Sequence, residues 1–320
     1  MVDRYIMTSN NKIHLILAAD NNYAQHMGVA IISVLENSKY KEDLVFHVIE
    51  NSISKTNVRK IESIATKYKC QINFYKIDIE KTSNFPEYNY MTKASYFRLF
   101  IHQLLPISIE KVIYLDCDII ALGEIKELYD IDVTNYMFAA VEDVKAKRIL
   151  RNYFYPNLNN YFNAGVLVIN LKKWREKIDI EGIYQFVDKY KQEIKNNDQD
   201  ILNCLFLSDW KQIERKYNYD NRLNFKKLKV DDIILLHYSC RIKPWSYLYT
   251  RKEKSHYIKH LKNSPWHDFK YKDRNTKNLL MKYPIHLTRT CKNLLRPIMP
   301  MSLIYLKDTL FDKYFQDKLK

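Results

Sequence analysis

The chain has 320 residues, of which 47% are hydrophobic, so it can bury the core of one large α/β domain or of two small ones. Its apolar runs, such as residues 233–236, are far shorter than the roughly 20 residues that span a bilayer, and residues 1–12 lack the apolar core of a signal peptide. The formal net charge of +15 predicts a polyanionic partner, although a general bias toward lysine explains much of that charge equally well.

Cysteine and glycine usage exclude several common kinds of site. The five cysteines are scattered and lack CxxC spacing, which predicts reduced thiols rather than a disulfide framework or a structural zinc site. The four glycines lie too far apart to form a dinucleotide fingerprint or a P-loop. A bound nucleotide would therefore be held by carboxylates, amides and a metal.

Short apolar strands alternate with amphipathic helices in the first part of the chain. Strands are predicted at residues 13–19, 44–49 and 72–77, and helices at 24–36 and 57–68. This alternation predicts an α/β fold with a mainly parallel sheet and helices on both faces. Ligands of such sheets lie beyond the carboxyl ends of the strands. Asp20 and Asp116 each follow an apolar strand, so we expect both at one edge of the sheet.

The same alternation continues after a predicted loop at residues 78–89. Further helices are predicted at 92–105, 180–190 and 196–207, and further strands at 136–141, 165–171 and 231–237. Arg98 lies on the first of these helices. A segment rich in tyrosine and asparagine, 151–160, is typical of a surface excursion.

The stretch KVIYLDCDIIA, residues 111–121, places two aspartates inside an apolar run. Because residues i and i+2 of a strand point to the same face, Asp116 and Asp118 form a half-site for Mn²⁺ or Mg²⁺. His237, at the end of the last strand, adds a nitrogen ligand that favours Mn²⁺ over Ca²⁺. Lys243 follows on the same loop and suits a phosphate. Purely structural roles also fit: Asp116 and Asp118 suit a strand-to-loop transition, and His237 suits a hydrogen-bonded core histidine.

Six segments in a fixed order carry a family resemblance: AADNNY (18–23), YFRL (96–99), YLDCD (114–118), YFNAGVLVINLKKW (161–174), DQDILN (198–203) and HYSCRIKPW (237–245). Together they resemble glycosyltransferase family 8, especially its bacterial lipopolysaccharide galactosyl- and glucosyltransferases, from about residue 13 to 245. The resemblance implies a Rossmann-like GT-A fold. It also implies a metal-dependent, anomer-retaining transfer of galactose or glucose from a UDP-sugar to a cell-surface glycan.

The resemblance further implies a donor site. The UDP-sugar would contact Ala18, Ala19, Asp20, Asn22, Tyr23, Arg98, Asp116, Cys117, Asp118, Asp143, Asn163, His237 and Lys243. Within this set Asp116, Asp118 and His237 would hold Mn²⁺, or Mg²⁺ as the alternative, and Lys243 would reach the diphosphate. Asp20 would accept a hydrogen bond from the uracil ring.

Retention of configuration requires either a covalent sugar intermediate or departure and attack on the same face. The resemblance places Gln199 beneath the sugar, and because an amide is a poor nucleophile we expect same-face attack. Gln199 would then stabilise positive charge, with Asp198 as the carboxylate alternative. Asp20 and Asp198 also suit helix N-caps, and Arg98 a surface cation.

One residue departs from the family pattern. The family commonly has glycine in its HxxGxxKPW loop, where this chain has Cys240. A side chain at this place either obstructs the approach of the backbone to the diphosphate or requires a positive φ. The glycine contact is therefore not expected here.

Residues 1–268 are predicted to form the catalytic domain and residues 269–320 a basic, aromatic, helical extension. From Lys282 onward the extension has eight lysines and arginines against three aspartates. This suits contact with anionic lipid, and packing on the catalytic domain is the alternative. We expect a cytoplasmic protein, peripheral on the inner face of the membrane, with a lipid- or protein-linked glycan acceptor and no nucleic-acid partner.

Two other functions fit part of the sequence. A nucleotidyltransferase also uses paired aspartates and a metal on an α/β sheet, and it would release pyrophosphate rather than UDP. A non-enzymatic basic module that binds membrane or nucleic acid fits the charge alone. The ordered acidic site argues against that module.

Overall fold

The computed structural model describes residues 12–87, 92–144, 161–206, 209–220, 228–276, 278–280 and 282. The predicted excursion at 151–160 lies outside the described residues, as do residues 277, 281 and 283–320 of the predicted basic extension. Among the described residues, no helix combines the length and the apolar character needed to cross a membrane.

The first part of the fold consists of strands β1 (Ile13–Asp20), β2 (Leu44–Asn51) and β3 (Gln71–Lys76) and helices α1 (Ala24–Asn37) and α2 (Lys55–Tyr68). β1 and β2 are buried over most of their length, as their nearly continuous apolar sequences predict. α2 is amphipathic and buries Ile61 and Ile64. It begins where the Ser54 hydroxyl accepts a hydrogen bond from the Asn57 amide at 3.3 Å.

The later strands are β4 (Lys111–Leu115), β5 (Ile119–Ala121), β6 (Phe138–Glu142), β7 (Phe162–Asn170), β8 (Trp210–Gln212), β9 (Tyr219–Asp220) and β10 (Leu235–His237). The main helical segments between and after them are Lys93–Phe100 (3-10), Ile101–Leu104, Lys126–Tyr129, Leu171–Lys177, Ile180–Tyr190, Asn197–Leu205 and Lys254–Lys262.

Seven of these strands form the central sheet, in the order β3-β2-β1-β4-β7-β6-β8. β7 is antiparallel to both of its neighbours, and the other neighbouring pairs are parallel. The predicted mainly parallel α/β sheet is thus confirmed. β1 and β4 are paired with Leu15 opposite Ile113, so Asp20 and Asp116 leave the sheet at the same edge.

A second, three-stranded sheet has the order β5-β10-β9. β10 is antiparallel to β5, with His237 opposite Ile119. The Tyr238 amide continues this pairing by donating to the carbonyl of Asp118 at 3.0 Å. The small sheet therefore carries His237 to the aspartates that follow β4.

Two predicted elements differ from the structure. The predicted helix 92–105 is mostly the 3-10 helix Lys93–Phe100, whose residues 96–100 are all buried. The Ser95 amide donates to the carbonyl of Thr92 at 3.2 Å, the i to i+3 spacing of a 3-10 helix, and a run of buried residues does not distinguish this coil from an α-helix. The predicted strand 231–237 is limited to Leu235–His237, because the exposed residues before it form the 3-10 turn Val230–Asp232.

The described residues divide into two compact units, one within residues 12–243 and 255–269 and the other within residues 244–254 and 270–282. In the second unit the Asp273 carboxylate accepts from the Ser246 hydroxyl at 2.5 Å and from the Tyr247 amide at 2.9 Å. The predicted division at residues 268 and 269 stays a prediction.

A row of polar side chains crosses the first three strands. His14 Nδ1 and His47 Nε2 are 3.0 Å apart, and His47 Nδ1 is 3.1 Å from the Tyr75 hydroxyl. Burial, with a smaller contribution from His14, lowers the pKa of His47 from its ordinary 6.5 to about 3. Because the unfolded chain binds a proton near pH 6.5 and the folded chain does not, folding is weakened as the pH falls below 6.5.

We expect the wild-type chain to lose about 2 kcal/mol of unfolding free energy at His47 between pH 7 and pH 5, a loss that His47→Gln abolishes. Urea unfolding of both proteins at pH 7, 6 and 5 measures this difference. The same loss in the variant would assign the acid sensitivity to other groups.

Candidate active site

One pocket opens at the edge of the sheet where β1 and β4 end. Thirteen of the fifteen predicted site residues line it: Ala18, Ala19, Tyr23, Arg98, Asp116, Cys117, Asp118, Asp143, Asn163, Asp198, Gln199, His237 and Lys243. These residues come from segments spread over more than two hundred positions. The fold brings them together.

Asp20 and Asn22 do not belong to the wall of this pocket. Asp20 Oδ1 accepts from the amides of Asn22 at 2.9 Å and Tyr23 at 3.1 Å, so Asp20 shapes the turn that precedes α1. Tyr23, which follows this turn, does line the pocket. The proposed contact between Asp20 and uracil stays a prediction.

The two carboxylate oxygens of Asp116 have different surroundings: one bonds to protein side chains and the other faces the pocket. Oδ1 accepts from Arg98 Nη2 at 2.6 Å and from the Tyr114 hydroxyl at 3.1 Å. Oδ2 lies 3.9 Å from His237 Nε2. One oxygen is thus held from behind while the other faces the histidine.

Asp118, which is 9% exposed, shows the same division. Its Oδ2 accepts from Lys243 Nζ at 2.5 Å, and its Oδ1 lies 3.2 Å from His237 Nε2. Burial raises the pKa of Asp118, but the charges of Lys243 and His237 outweigh it and hold that pKa well below its usual value. The carboxylate therefore stays ionised.

The three groups that the sequence predicts as metal ligands meet in this pocket. One ligand atom each from Asp116, Asp118 and His237 lies within 4.8 Å of the others. Two carboxylate oxygens and one imidazole nitrogen are a ligand set that suits Mn²⁺ or Mg²⁺. Since the second oxygen of each aspartate is already bonded to a cationic side chain, the facing oxygens are oriented for such an ion.

Arg98 is buried, with 4% exposure, and is not the surface cation that its helix suggested as an alternative. Its Nε lies 2.9 Å from Asp198 Oδ2, and its Nη1 donates to the carbonyl of Ala164 at 2.5 Å. Its guanidinium also stacks 4.1 Å from the centre of the Tyr114 ring. Arg98 therefore links Asp116 to Asp198 within the pocket wall.

Asp198 has a pKa shifted in the opposite direction to that of Asp118. Burial, together with the negative charge of Asp116, raises the pKa of Asp198 to about 7 against the opposing charge of Arg98. The preceding residue, Asn197, is fully buried and has a φ of 46° at the start of its helix. Asparagine tolerates this left-handed conformation better than most residues do.

Gln199 is held at both ends of its amide. Oε1 accepts from the backbone N–H of Ala164 at 3.0 Å. Nε2 donates to the Tyr161 hydroxyl at 3.1 Å and approaches Asp143 Oδ2 at 3.4 Å, and the same Oδ2 accepts from Asn163 Nδ2 at 3.3 Å. Gln199, Asp143 and Asn163 form one network on the side of the pocket opposite β1.

Several residues that line the pocket were not predicted as site residues from the sequence. Tyr114, Ala164, Gly165 and Ser239 line the pocket, and each lies inside or beside one of the six motif segments. Gly165 is the most constrained of them: a Cβ there would lie 2.5 Å from His237 Cε1 and 2.8 Å from Asp116 Oδ2. Only glycine leaves room for both side chains to approach.

Cys240 does not take the strained backbone that its departure from the family pattern suggested. The residues with positive φ in the described part of the chain are Ser52, Lys69 and Asn197. Cys240 therefore fits its loop without a left-handed conformation. The neighbouring Ser239 lines the pocket instead.

A comparison with family models decides the affiliation. Residues 14–249 match the model described as glycosyl transferase family 8. The chain belongs to glycosyltransferase family 8. It is therefore an enzyme that transfers a sugar, and the resemblance found in its six motifs is confirmed.

Two curated relatives are similar to this chain over most of their length. The chain is 29% identical to a lipopolysaccharide 1,2-glucosyltransferase of Escherichia coli (strain K12), covering 80% of this chain and 79% of that protein. It is 30% identical to a lipopolysaccharide 1,3-galactosyltransferase of Salmonella typhimurium, covering 80% of each.

Among solved structures, the galactosyltransferase LgtC in complex with donor and acceptor sugar analogues aligns with a TM-score of 0.70 and 26% identity, covering 79% of this chain and 96% of LgtC. A second LgtC structure, with a TM-score of 0.71 and 25% identity over the same shares, is of an active-site mutant in which glutamine is replaced by glutamate. These alignments confirm the predicted GT-A fold.

We expect Gly165→Ala to weaken Mn²⁺ binding by about 10–100-fold, because the new methyl group displaces His237 or Asp116. Gly182→Ala is the matched control, since the nearest atom to its Cβ would be Asp179 Oδ2, at 2.7 Å. Calorimetric titration of Mn²⁺ into each protein measures the effect. Unchanged binding to Gly165→Ala would contradict the close approach described here.

Proposed function

We propose that this family 8 enzyme is a retaining hexosyltransferase that uses UDP-galactose or UDP-glucose, depends on Mn²⁺ and elongates a cell-surface glycan such as lipopolysaccharide. The observation that carries this proposal is the convergence of Asp116, Asp118 and His237 beside Lys243 and Gln199 in one pocket. The names of the two curated relatives support galactose or glucose as the sugar.

Asp116, Asp118 and His237 would hold the divalent cation. When bound there, the cation neutralises the charge of the diphosphate, so that UDP becomes a better leaving group. Lys243 adds a fixed positive charge at the same place, because its Nζ is held by Asp118 and by the carbonyl of Tyr238 at 2.8 Å. Mg²⁺ is the alternative ion for the same ligand set.

The proposed donor orientation follows from the two sides of the pocket. Ala18, Ala19 and Tyr23 lie at the end of β1, where the nucleoside would bind. The hexose would then extend toward the network of Asp143, Asn163 and Gln199. Polar side chains with fixed donors and acceptors suit the hydroxyl groups of a sugar.

Same-face attack is supported by the environments of the two candidate catalytic residues. Asp198 is buried and lies against Arg98, which leaves its carboxylate badly placed for a displacement. Gln199 lines the pocket, and its amide oxygen keeps one lone pair beyond the bond from Ala164. In our proposal this oxygen stabilises positive charge on the sugar while the departing phosphate takes the proton of the acceptor.

The proposed acceptor contact and location rest on the sequence alone. The predicted surface excursion and most of the basic extension, which would shape the acceptor side, lie outside the described residues. A cytoplasmic enzyme that is peripheral on the inner face of the membrane stays a prediction, which sedimentation with anionic vesicles would test.

The donor is tested by measuring Mn²⁺-dependent UDP release from several UDP-sugars. We expect UDP release from UDP-galactose or UDP-glucose. In Asp118→Ala the rate of release should fall about a hundredfold, because that variant lacks a cation ligand. Asp130→Ala, at an exposed surface pair with Lys126, is the control. Release from no donor would overturn the assignment, and release of pyrophosphate would indicate a nucleotidyltransferase.

We expect Gln199→Ala to lower kcat by about 10²–10³-fold, as loss of an oriented charge-stabilising group does, with little change in the KM for the donor. The glutamine-to-glutamate mutant of the LgtC active site supports the choice, since Gln199 is the one glutamine among the described lining residues. Near wild-type turnover in Gln199→Ala would remove this residue from the mechanism.

A further inference from the structure

Asn218 is a buried amide behind the pocket, directly before β9, and is 4% exposed. It does not belong to the pocket wall, and no motif in the sequence marks it. Its side chain nevertheless joins two residues of the proposed donor site. Asn218 Oδ1 lies 2.9 Å from His237 Nδ1, and Asn218 Nδ2 donates to Asn163 Oδ1 at 2.8 Å.

The backbone N–H of Gly165 determines how the side-chain amides of Asn163 and Asn218 are oriented. The N–H of Gly165 donates to Asn163 Oδ1 at 3.0 Å, and a backbone N–H can only donate. The atom of Asn163 at this place must therefore be its oxygen. The Asn218 atom that contacts the same oxygen must in turn be its nitrogen, which leaves the Asn218 oxygen facing His237.

This chain of donors and acceptors determines the tautomer of His237. Because Asn218 Oδ1 can only accept, His237 Nδ1 must carry the hydrogen. In the neutral ring the lone pair then lies on Nε2. That atom is the one 3.2 Å from Asp118 Oδ1 and 3.9 Å from Asp116 Oδ2.

The same network reaches the proposed sugar side of the pocket. Asn163 Nδ2 donates to Asp143 Oδ2 at 3.3 Å, and Gln199 Nε2 approaches that oxygen at 3.4 Å. The neighbouring backbone N–H, that of Ala164, holds the Gln199 oxygen at 3.0 Å. Two consecutive backbone amides of β7 thus hold Asn163, which leads to the histidine, and Gln199, on the proposed sugar side.

We propose that Asn218 is a positioning residue that keeps His237 in the Nδ1–H tautomer, so that Nε2 is available to a divalent cation. This inference rests on the proposed function, because it takes Asp116, Asp118 and His237 as the ligands of that cation. Hydrogen-bonded partners of metal-binding histidines generally fix the tautomer and the ring orientation, and their loss weakens metal binding by about 10–100-fold.

Titration of Mn²⁺ into the full chain, without donor, tests the role directly. Asn218→Leu keeps the number and branching of the side-chain heavy atoms but removes the acceptor, and we expect it to bind Mn²⁺ about 10–100-fold more weakly than wild type. Asn218→Asp keeps an oxygen opposite His237 Nδ1 and should bind Mn²⁺ more tightly than Asn218→Leu. Equal affinity of Asn218→Leu and wild type would overturn the proposal.

Asn278→Leu is the matched control for loss of a buried amide. Asn278 is 8% exposed, belongs to the other compact unit and donates to the carbonyl of Asp273 at 2.7 Å. It should leave Mn²⁺ affinity unchanged. Thermal unfolding of all variants shows whether they fold, and a loss of Mn²⁺ affinity in Asn278→Leu as large as that in Asn218→Leu would point to general destabilisation and overturn the specific role.

The tautomer itself is read by long-range ¹H–¹⁵N NMR of the chain saturated with Mg²⁺, the diamagnetic alternative ion, so that Nε2 does not hold a proton against Asp118 Oδ1. His237 signals are those missing from His237→Gln. We expect the Nδ1–H form in wild type and its loss in Asn218→Leu, and an Nε2–H form in wild type would overturn the proposal. Because no sugar transfer is needed, this result stands apart from the donor screen: failure of that screen alone would reject the proposed function.

Discussion

The candidate active site depends on two buried cationic side chains that each bond to one of the carboxylates following β4. Arg98 bonds to one oxygen of Asp116, and Lys243 bonds to one oxygen of Asp118. Each pairing offsets the cost of burying a charge and also orients the second oxygen of the same carboxylate. Those second oxygens face His237, so the negative charge that remains is directed at one point.

The sheet topology makes this arrangement possible. β4 ends at the same edge as β1, while the antiparallel pairing of β5 with β10 returns His237 to Asp118 across more than one hundred residues. Gly165 in the neighbouring strand, β7, allows the histidine and Asp116 to approach each other. The site is thus assembled by strand pairing, and its flexible side chains are restrained by backbone groups.

The buried polar network extends this restraint to the side of the pocket where the sugar is proposed to bind. Consecutive amides of β7 hold Asn163 and Gln199, and Asn163 meets Asn218. A fully satisfied network in a low-dielectric surrounding is rigid, because moving any member leaves a buried partner without a hydrogen bond. A pocket built in this way is organised before its donor binds, which is what electrostatic stabilisation of a charged transition state requires.

The sequence by itself determined the alternation of strands and helices, the edge at which Asp116 lies and the family of the enzyme. These follow from local hydrophobic periodicity and from short motifs whose order is visible in the chain. The inward turn of Arg98, the bond from Lys243 to Asp118, and the contact between Asn218 and His237 were decided only by the tertiary structure. Their partners lie far away in sequence, and which groups meet depends on strand pairing and register, for which a side chain such as Asn218 carries no local signal.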